Sequence, residues 1–225
     1  MYDEWFAGHL GSHGDKIIAG SNFQDSDGKW IYMAHVFDES GNLQHTLEDF
    51  ESNTNTFGYS ISSFGDNIVV YAIDEDANDD IHTNSVHVFD STSGILQYVI
   101  ENPDSTKGDF GRHIVEVQGN LVVGTPTRMW DEEISGTIHV FDESGELSFS
   151  IEYPESDISN VGFGGYLSAV GDNIALRSIS DQTDHDYFLP LSDLIYVFDG
   201  KTGDQLFTIE EPGLQDEHGR SFIQY

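Results

Sequence analysis

Apolar residues along this chain come in short bursts of about four to seven, separated by Gly, Asp, Asn and Ser, and no window carries the 3.6-residue period of a helix. Four bursts recur in a fixed order. Where they are clearest they cover Tyr59 to Phe64, Asn67 to Ile73, Ser85 to Asp90 and Ile95 to Ile100, and they predict four strands, A to D. The B burst Ile68-Val69-Val70 and its copy Leu121-Val122-Val123 are apolar on successive residues, so strand B is expected to be covered on both faces.

The four-strand unit repeats. Phe6, Phe57, Phe110 and Phe163 open it, and Val36-Phe37-Asp38, Val88-Phe89-Asp90, Val140-Phe141-Asp142 and Val197-Phe198-Asp199 mark strand C, a period of about 53 residues. Repeats are expected over 5–52, 53–105, 106–158 and 159–213. Residues 214–225 open a fifth, because His218-Gly219-Arg220-Ser221-Phe222-Ile223 matches Phe110-Gly111-Arg112-His113-Ile114. Tight turns join A to B at Gly14-Asp15-Lys16, Gly65-Asp66-Asn67, Gly171-Asp172-Asn173 and, in altered form, Gln118-Gly119-Asn120. Between C and D, Asp38, Asp90, Asp142 and Asp199 precede Gly41, Gly94, Gly145 and Gly203 by three or four residues. A carboxylate that bonds turn amides accounts for the same acid in every repeat, so these aspartates are read as turn residues rather than catalytic acids.

Four antiparallel strands repeated about an axis define an all-β fold, a β-propeller of four-stranded antiparallel blades in one domain, 1–225. A closed ring has no use for a fifth inner strand. The expectation is therefore four complete blades of a larger propeller of about six or seven, with open blade edges available for association, the alternative being a four-bladed or distorted ring in which the last strand pairs elsewhere.

Phe57-Gly58 and Phe110-Gly111, each followed by an apolar strand, and Gly124-Thr125-Pro126 in the place of a Gly-Ala-Pro, resemble the FG-GAP repeat of integrin α-subunit propellers and related prokaryotic surface proteins. The resemblance covers essentially the whole chain and departs from the pattern at Phe6-Ala7, Tyr71-Ala72 and Arg177-Ser178. It implies an extracellular or cell-surface binding, adhesion or scaffold module. The calcium loop that integrin-like repeats often carry between their first two strands is replaced here by the short Gly-Asp-Asn turn, so no integrin calcium site or ligand residue is carried across. The run Val197-Phe198-Asp199-Gly200-Lys201-Thr202-Gly203 also resembles the repeat of quinoprotein propellers, without its closing tryptophan, near whose place Phe207 falls.

Charge narrows the partners. With 41 acids against 8 bases and a formal charge of −33, the chain lacks the basic footprint that nucleic acid or an anionic membrane demands. It has no cysteine, no apolar run near the roughly 20 residues of a membrane span, and at Met1-Tyr2-Asp3-Glu4-Trp5-Phe6 neither the basic nor the apolar region of a signal peptide. Most acids fall in the B–C and D–A connections, which share one face of a propeller. There Asp74-x-Asp76-x-Asn78-x-Asp80 has the alternating oxygens of a calcium loop, although Asp79 stands where glycine belongs and no acid follows at the ninth or twelfth position. Asp25-Ser26-Asp27-Gly28 is a shorter version. Ca2+ is the cofactor this face suggests, and a protein or carbohydrate its ligand.

His35, His87 and His139, with Tyr196 in the fourth repeat, share one strand C position. Third from the axis, at about 4.8 Å per strand, they stand too far apart to share a metal, and are read as aromatic wedges between blades. His9 and His113 share an inner-strand position with Ser60 and Tyr166 and are expected to line the axis. The chain contains no Gly-x-Ser-x-Gly elbow, phosphate loop or His-Glu-x-x-His, so a binding module is expected before an enzyme. The alternatives are a hydrolase or quinoprotein-like enzyme on the same scaffold, and a purely structural part of a surface assembly.

Overall fold

A computed structural model describes residues 5–48, 54–75, 82–104, 108–126, 136–153, 163–178 and 194–210. Among these residues there is no helix, and the strands form four four-stranded antiparallel sheets, each in simple sequence order. The first blade is β1 (Trp5–His13), β2 (Lys16–Gln24), β3 (Trp30–Phe37) and β4 (Leu43–Glu48). The second is β5 (Thr54–Phe64), β6 (Asn67–Glu75), β7 (His82–Asp90) and β8 (Leu96–Glu101). The third is β9 (His113–Val117), β10 (Asn120–Thr125), β11 (Thr137–Phe141) and β12 (Leu147–Glu152), and the fourth is β13 (Leu167–Val170), β14 (Asn173–Ser178), β15 (Leu194–Asp199) and β16 (Gln205–Glu210). The inner strands β1, β5, β9 and β13 adjoin one another in sequence order, which makes the arrangement radial. Residues 214–225, where a fifth inner strand is expected, lie outside the described residues.

The turns follow the local chemistry. Each A–B hairpin leaves two residues between paired strand ends, as in Phe64↔Asn67 and Val117↔Asn120. The first of the two takes a positive φ in every blade, at Gly14, Gly65, Gln118 and Gly171, which matches the right-handed twist of the flanking strands. In each C–D turn the aspartate Oδ1 accepts backbone N–H bonds: from Ser40 and Asn42 at Asp38, Thr92 and Ser93 at Asp90, Ser144 and Glu146 at Asp142, and Lys201 and Thr202 at Asp199. The turn reading of these acids holds in all four blades.

The core lies between blades. Ile18, Ala34, Val36 and Leu47 of the first blade pack on Phe57, Ile68, Val70, Ala72 and Phe89 of the second. Val69, Tyr71, Val86, Val88 and Ile100 then meet Phe110, Ile114, Leu121, Val123 and Phe141, and Val122, Ile138, Val140 and Ile151 meet Phe163, Ile174, Leu176, Tyr196 and Phe198. Strand B therefore needs apolar residues at successive positions, one side for each neighbouring blade, and Ile68, Val69 and Val70 are all fully buried.

The second, third and fourth blades each carry an aromatic trio on the side facing the blade before. In the second blade Phe57 lies 5.7 Å from His87 and 6.0 Å from Phe89 between ring centroids, and Phe110, His139 and Phe141 repeat this in the third. In the fourth, Tyr196 takes the histidine's place beside Phe163 and Phe198. His87 and His139 are thus wedges between blades, whereas His35, in the first blade, is only partly buried beside Phe6 and Phe37 of its own blade. His35 bridges Ser21 Oγ at 2.9 Å and Thr46 Oγ1 at 3.1 Å, and His139 Nδ1 lies 2.9 Å from Ser150 Oγ. Burial holds both imidazoles below their usual pKa, against the opposing pull of Glu48 on His35 and Asp104 on His139.

Candidate binding site

The residue after each motif phenylalanine takes a left-handed backbone: Ala7 at φ 58°, Gly58 at 86°, Gly111 at 89° and Gly164 at 82°. Such angles suit glycine and strain alanine, yet the first blade keeps the same conformation with alanine. The effect on the sheet is a bulge. Phe57 pairs with Ala72 and Ile61 with Val70, so Gly58, Tyr59 and Ser60 together oppose Tyr71 alone, and Ala7, Gly8 and His9 oppose Gly20 in the same way. In the third and fourth blades the segment becomes a turn that precedes the inner strand. There Gly111 N–H donates to Gly124 O at 3.1 Å, and Arg177 N–H donates to Tyr166 O at 3.1 Å.

Close packing fixes these bulges between blades. A Cβ on Gly20 would collide with Gly58 O, one on Gly124 with Gly164 O, and one on Gly136 with Phe163 O. Where the second blade has Tyr71 instead, its ring lies against Gly111. A bulge commonly re-aims side chains at a rim, and the two bulges and two turns all stand at the start of the inner strand, beside the end of the second strand of their blade.

An aromatic and imidazole rim results. His9 and Tyr59 lie 4.3 Å apart between ring centroids, with Trp5 edge-on at 5.7 Å from His9 and 5.8 Å from Tyr59. Across the neighbouring inner strands His113 lies 5.1 Å from Tyr166, and the Arg177 guanidinium sits 5.5 Å from the Tyr166 ring centroid. Arg112 Nη1 holds Asp109 Oδ2 at 3.1 Å. Tyr59 and Tyr166 remain 45% and 55% exposed. Burial lowers the pKa of His9, and burial with the nearby Arg112 charge lowers that of His113, which favours the neutral imidazole with its one donor and one acceptor.

The expectation that His9, Ser60, His113 and Tyr166 share this region is met at His9, His113 and Tyr166, each in ring contact with an inner-strand neighbour. Tyr59, Arg112, Arg177 and Trp5 were not singled out in the sequence. Their one signal is position: Tyr59 and Arg112 stand second after the motif phenylalanine, a place that ordinary strand alternation does not mark.

The calcium candidates fall mostly outside the described residues. Asp74 is near the end of β6, its backbone opposite Thr83, while Asp76, Asn78 and Asp80 lie outside the described residues. Asp25 and Asp27 sit in the β2–β3 turn, where Asp25 Oδ1 accepts the Asp27 and Lys29 N–H groups at 2.9 Å each. One Asp25 oxygen is thereby committed to the turn. Among the described residues no three His, Asp or Glu side chains converge as a metal cluster.

No family model matches this sequence, and no curated protein matches it. Solved structures are similar in fold. The β-propeller domain of the Trilobed protease from Pyrococcus furiosus aligns at 13% identity and a TM-score of 0.56, over 91% of this chain and 57% of that one. A quinohemoprotein alcohol dehydrogenase from Pseudomonas putida aligns at 11% identity and 0.55, over 85% and 32%. The Dos1 propeller aligns at 11% identity and 0.51, over 96% and 50%. This chain has a β-propeller fold of four-stranded blades, and it spans from about a third to just over half of these matched chains.

Proposed function

We propose that the chain is a binding module, and that its ligand is a neutral oligosaccharide held against the bulge-built rim. The observation that supports this most directly is the pair of exposed tyrosines, Tyr59 and Tyr166, fixed beside neutral imidazoles at one end of the axis. Charge selects among ligands. The net −33 repels anions, while Arg112 and Arg177 at the rim disfavour a cation there. What remains is a neutral molecule with apolar faces to stack on aromatic rings and hydroxyls to pair with imidazole nitrogens, the combination a sugar offers. The FG-GAP resemblance supports a cell-surface setting for such a module.

A glycan array followed by calorimetry on the best neutral oligosaccharide tests this. Tyr59→Ala is expected to weaken binding at least about tenfold, a loss of about 1.4 kcal/mol, with the melting temperature unchanged because the ring is half exposed. If no neutral glycan binds, the reading fails.

The second reading is the propeller domain of an enzyme. It is supported by the protease and dehydrogenase names of the similar solved structures, although one fold hosts many functions. Cleavage or oxidation of a bound glycan on prolonged incubation would favour it over simple binding.

Calcium assists in this proposal through Asp74, Asp76, Asn78 and Asp80, three carboxylates and an amide oxygen within seven residues, since calcium accepts irregular oxygen geometry where magnesium demands an octahedron. Weak binding is expected, with Kd of about 10⁻⁴ to 10⁻³ M. Calcium should raise the melting temperature more than sodium chloride of equal ionic strength does, and Asp76→Asn with Asp80→Asn should abolish the difference. Equal stabilisation by both salts would reduce the loop to a solvated acidic turn.

A further inference from the structure

Resting on the oligosaccharide reading above, we propose that the rim holds two separate sugar subsites, so that its ligand is a chain of sugars long enough to lie across both. Two ring pairs build the rim, and each straddles a joint between blades. His9 of β1 meets Tyr59 of β5 at 4.3 Å between ring centroids with 37° between planes, and His113 of β9 meets Tyr166, just before β13, at 5.1 Å and 44°. The two pairs are near copies of each other.

The histidines carry a two-blade period on top of the one-blade repeat. His9 and His113 stand third after Phe6 and Phe110, whereas the same place holds Ser60 in the second blade and Tyr166 in the fourth. The first and third blades therefore supply the imidazole, and the second and fourth the phenol that meets it across the joint. Among the described residues no such pair bridges β5 and β9, and Arg112, which precedes β9, is held there by Asp109.

Both pairs are set before a ligand arrives. The core between the first and second blades fixes one, and the core between the third and fourth fixes the other. Trp5, whose N–H donates to Asn22 Oδ1 at 3.0 Å, stands edge-on to both rings of the first pair, and the Arg177 guanidinium lies 5.5 Å from the Tyr166 ring centroid in the second. Rings held in place lose little freedom on binding. Two strand steps of at least about 4.7 Å each separate the pairs about the axis, beyond the reach of a single sugar ring stacked within about 7 Å of either. Linked sugars reach both, and the second contact is then made within one complex, at an effective concentration of millimolar order.

Calorimetry, with ligand-observed NMR for the weakest members, tests the proposal on a length series of one to about six units of the neutral glycan that binds best on the array. Affinity is expected to rise steeply once both pairs are spanned, by at least about 100-fold over the monosaccharide. Two monosaccharides but one long oligomer should bind per chain. Tyr59→Ala and Tyr166→Ala should each abolish the gain with length and halve the monosaccharide stoichiometry. Both rings are about half exposed, so an unchanged circular dichroism spectrum separates loss of a subsite from loss of the fold. A monosaccharide that binds as tightly as the longest oligomer, a single monosaccharide per chain, or a gain with length that survives either substitution would overturn the proposal and leave glycan binding intact. Absence of binding at every length would overturn the oligosaccharide reading with it.

Discussion

Phe110 and Phe6 occupy the same place in the repeat and differ only in what lies over them. Phe110 is sealed against the second blade and touches His139 and Phe141, while Phe6 has the same ring partners and no covering blade. Phe110→Ala should cost about 3–5 kcal/mol, the loss typical of a buried phenylalanine. Phe6→Ala, measured by urea unfolding in dilute, low-salt solution, should cost less than about 1 kcal/mol. Equal losses would mean that the wedge is held within its own blade rather than by its neighbour. The period of the phenylalanines marks them as equivalent, but burial is a property of the neighbour, and no single repeat encodes whether that neighbour is there.

At the scale of the element, the C–D turn joins a carboxylate to its chemistry most directly. Asp90 is held below its usual pKa by the Ser93 hydroxyl first and the Ser93 amide next, Asp38 by Asn42, Asp142 by Ser144 and Asp199 by the Lys201 amide. A carboxylate whose folded pKa is depressed contributes stability that is complete above its unfolded value of about 3.9 and is lost as pH falls through the folded one. Asp90→Asn keeps an acceptor oxygen but removes the charge. Its deficit against the unsubstituted protein should be visible at pH 6 and shrink toward zero as pH falls through the depressed folded pKa, below which both carry a neutral side chain. A deficit constant with pH would assign the residue's role to shape alone.

Strand order, both hairpin links and the strand C wedges were legible in the sequence because each leaves a residue signature at a fixed spacing. The start of strand A was not. It is expected near Tyr59, yet β5 begins at Thr54 and passes through a bulge. A left-handed residue within a strand breaks the alternation that would have marked it, and the same break hid Tyr59 and Arg112 from the candidate site. His9 and His113 were legible because they recur at one position in different repeats. Arg177 was not, since it stands where other blades have glycine or tyrosine.

For the whole molecule, charge and apolar surface act in opposite directions. The −33 formal charge works against the compact state by self-repulsion while the cores between blades hold it together, so the urea midpoint is expected to rise as sodium chloride is added and screens the charge. The packing of one blade on the next also bears on how the chain is made. An outer-strand ring such as Tyr98 packs over Gly145 only when the next repeat's C–D turn, some 45 residues further on, has been synthesised, and its hydroxyl donates to Glu143 O there at 3.1 Å. A nascent chain thus always presents one unsealed sheet at its growing end, and each new repeat seals the last while opening its own. Pauses in translation at repeat boundaries would prolong that exposure, so the vulnerable moment in this protein's life travels with the ribosome from one blade to the next.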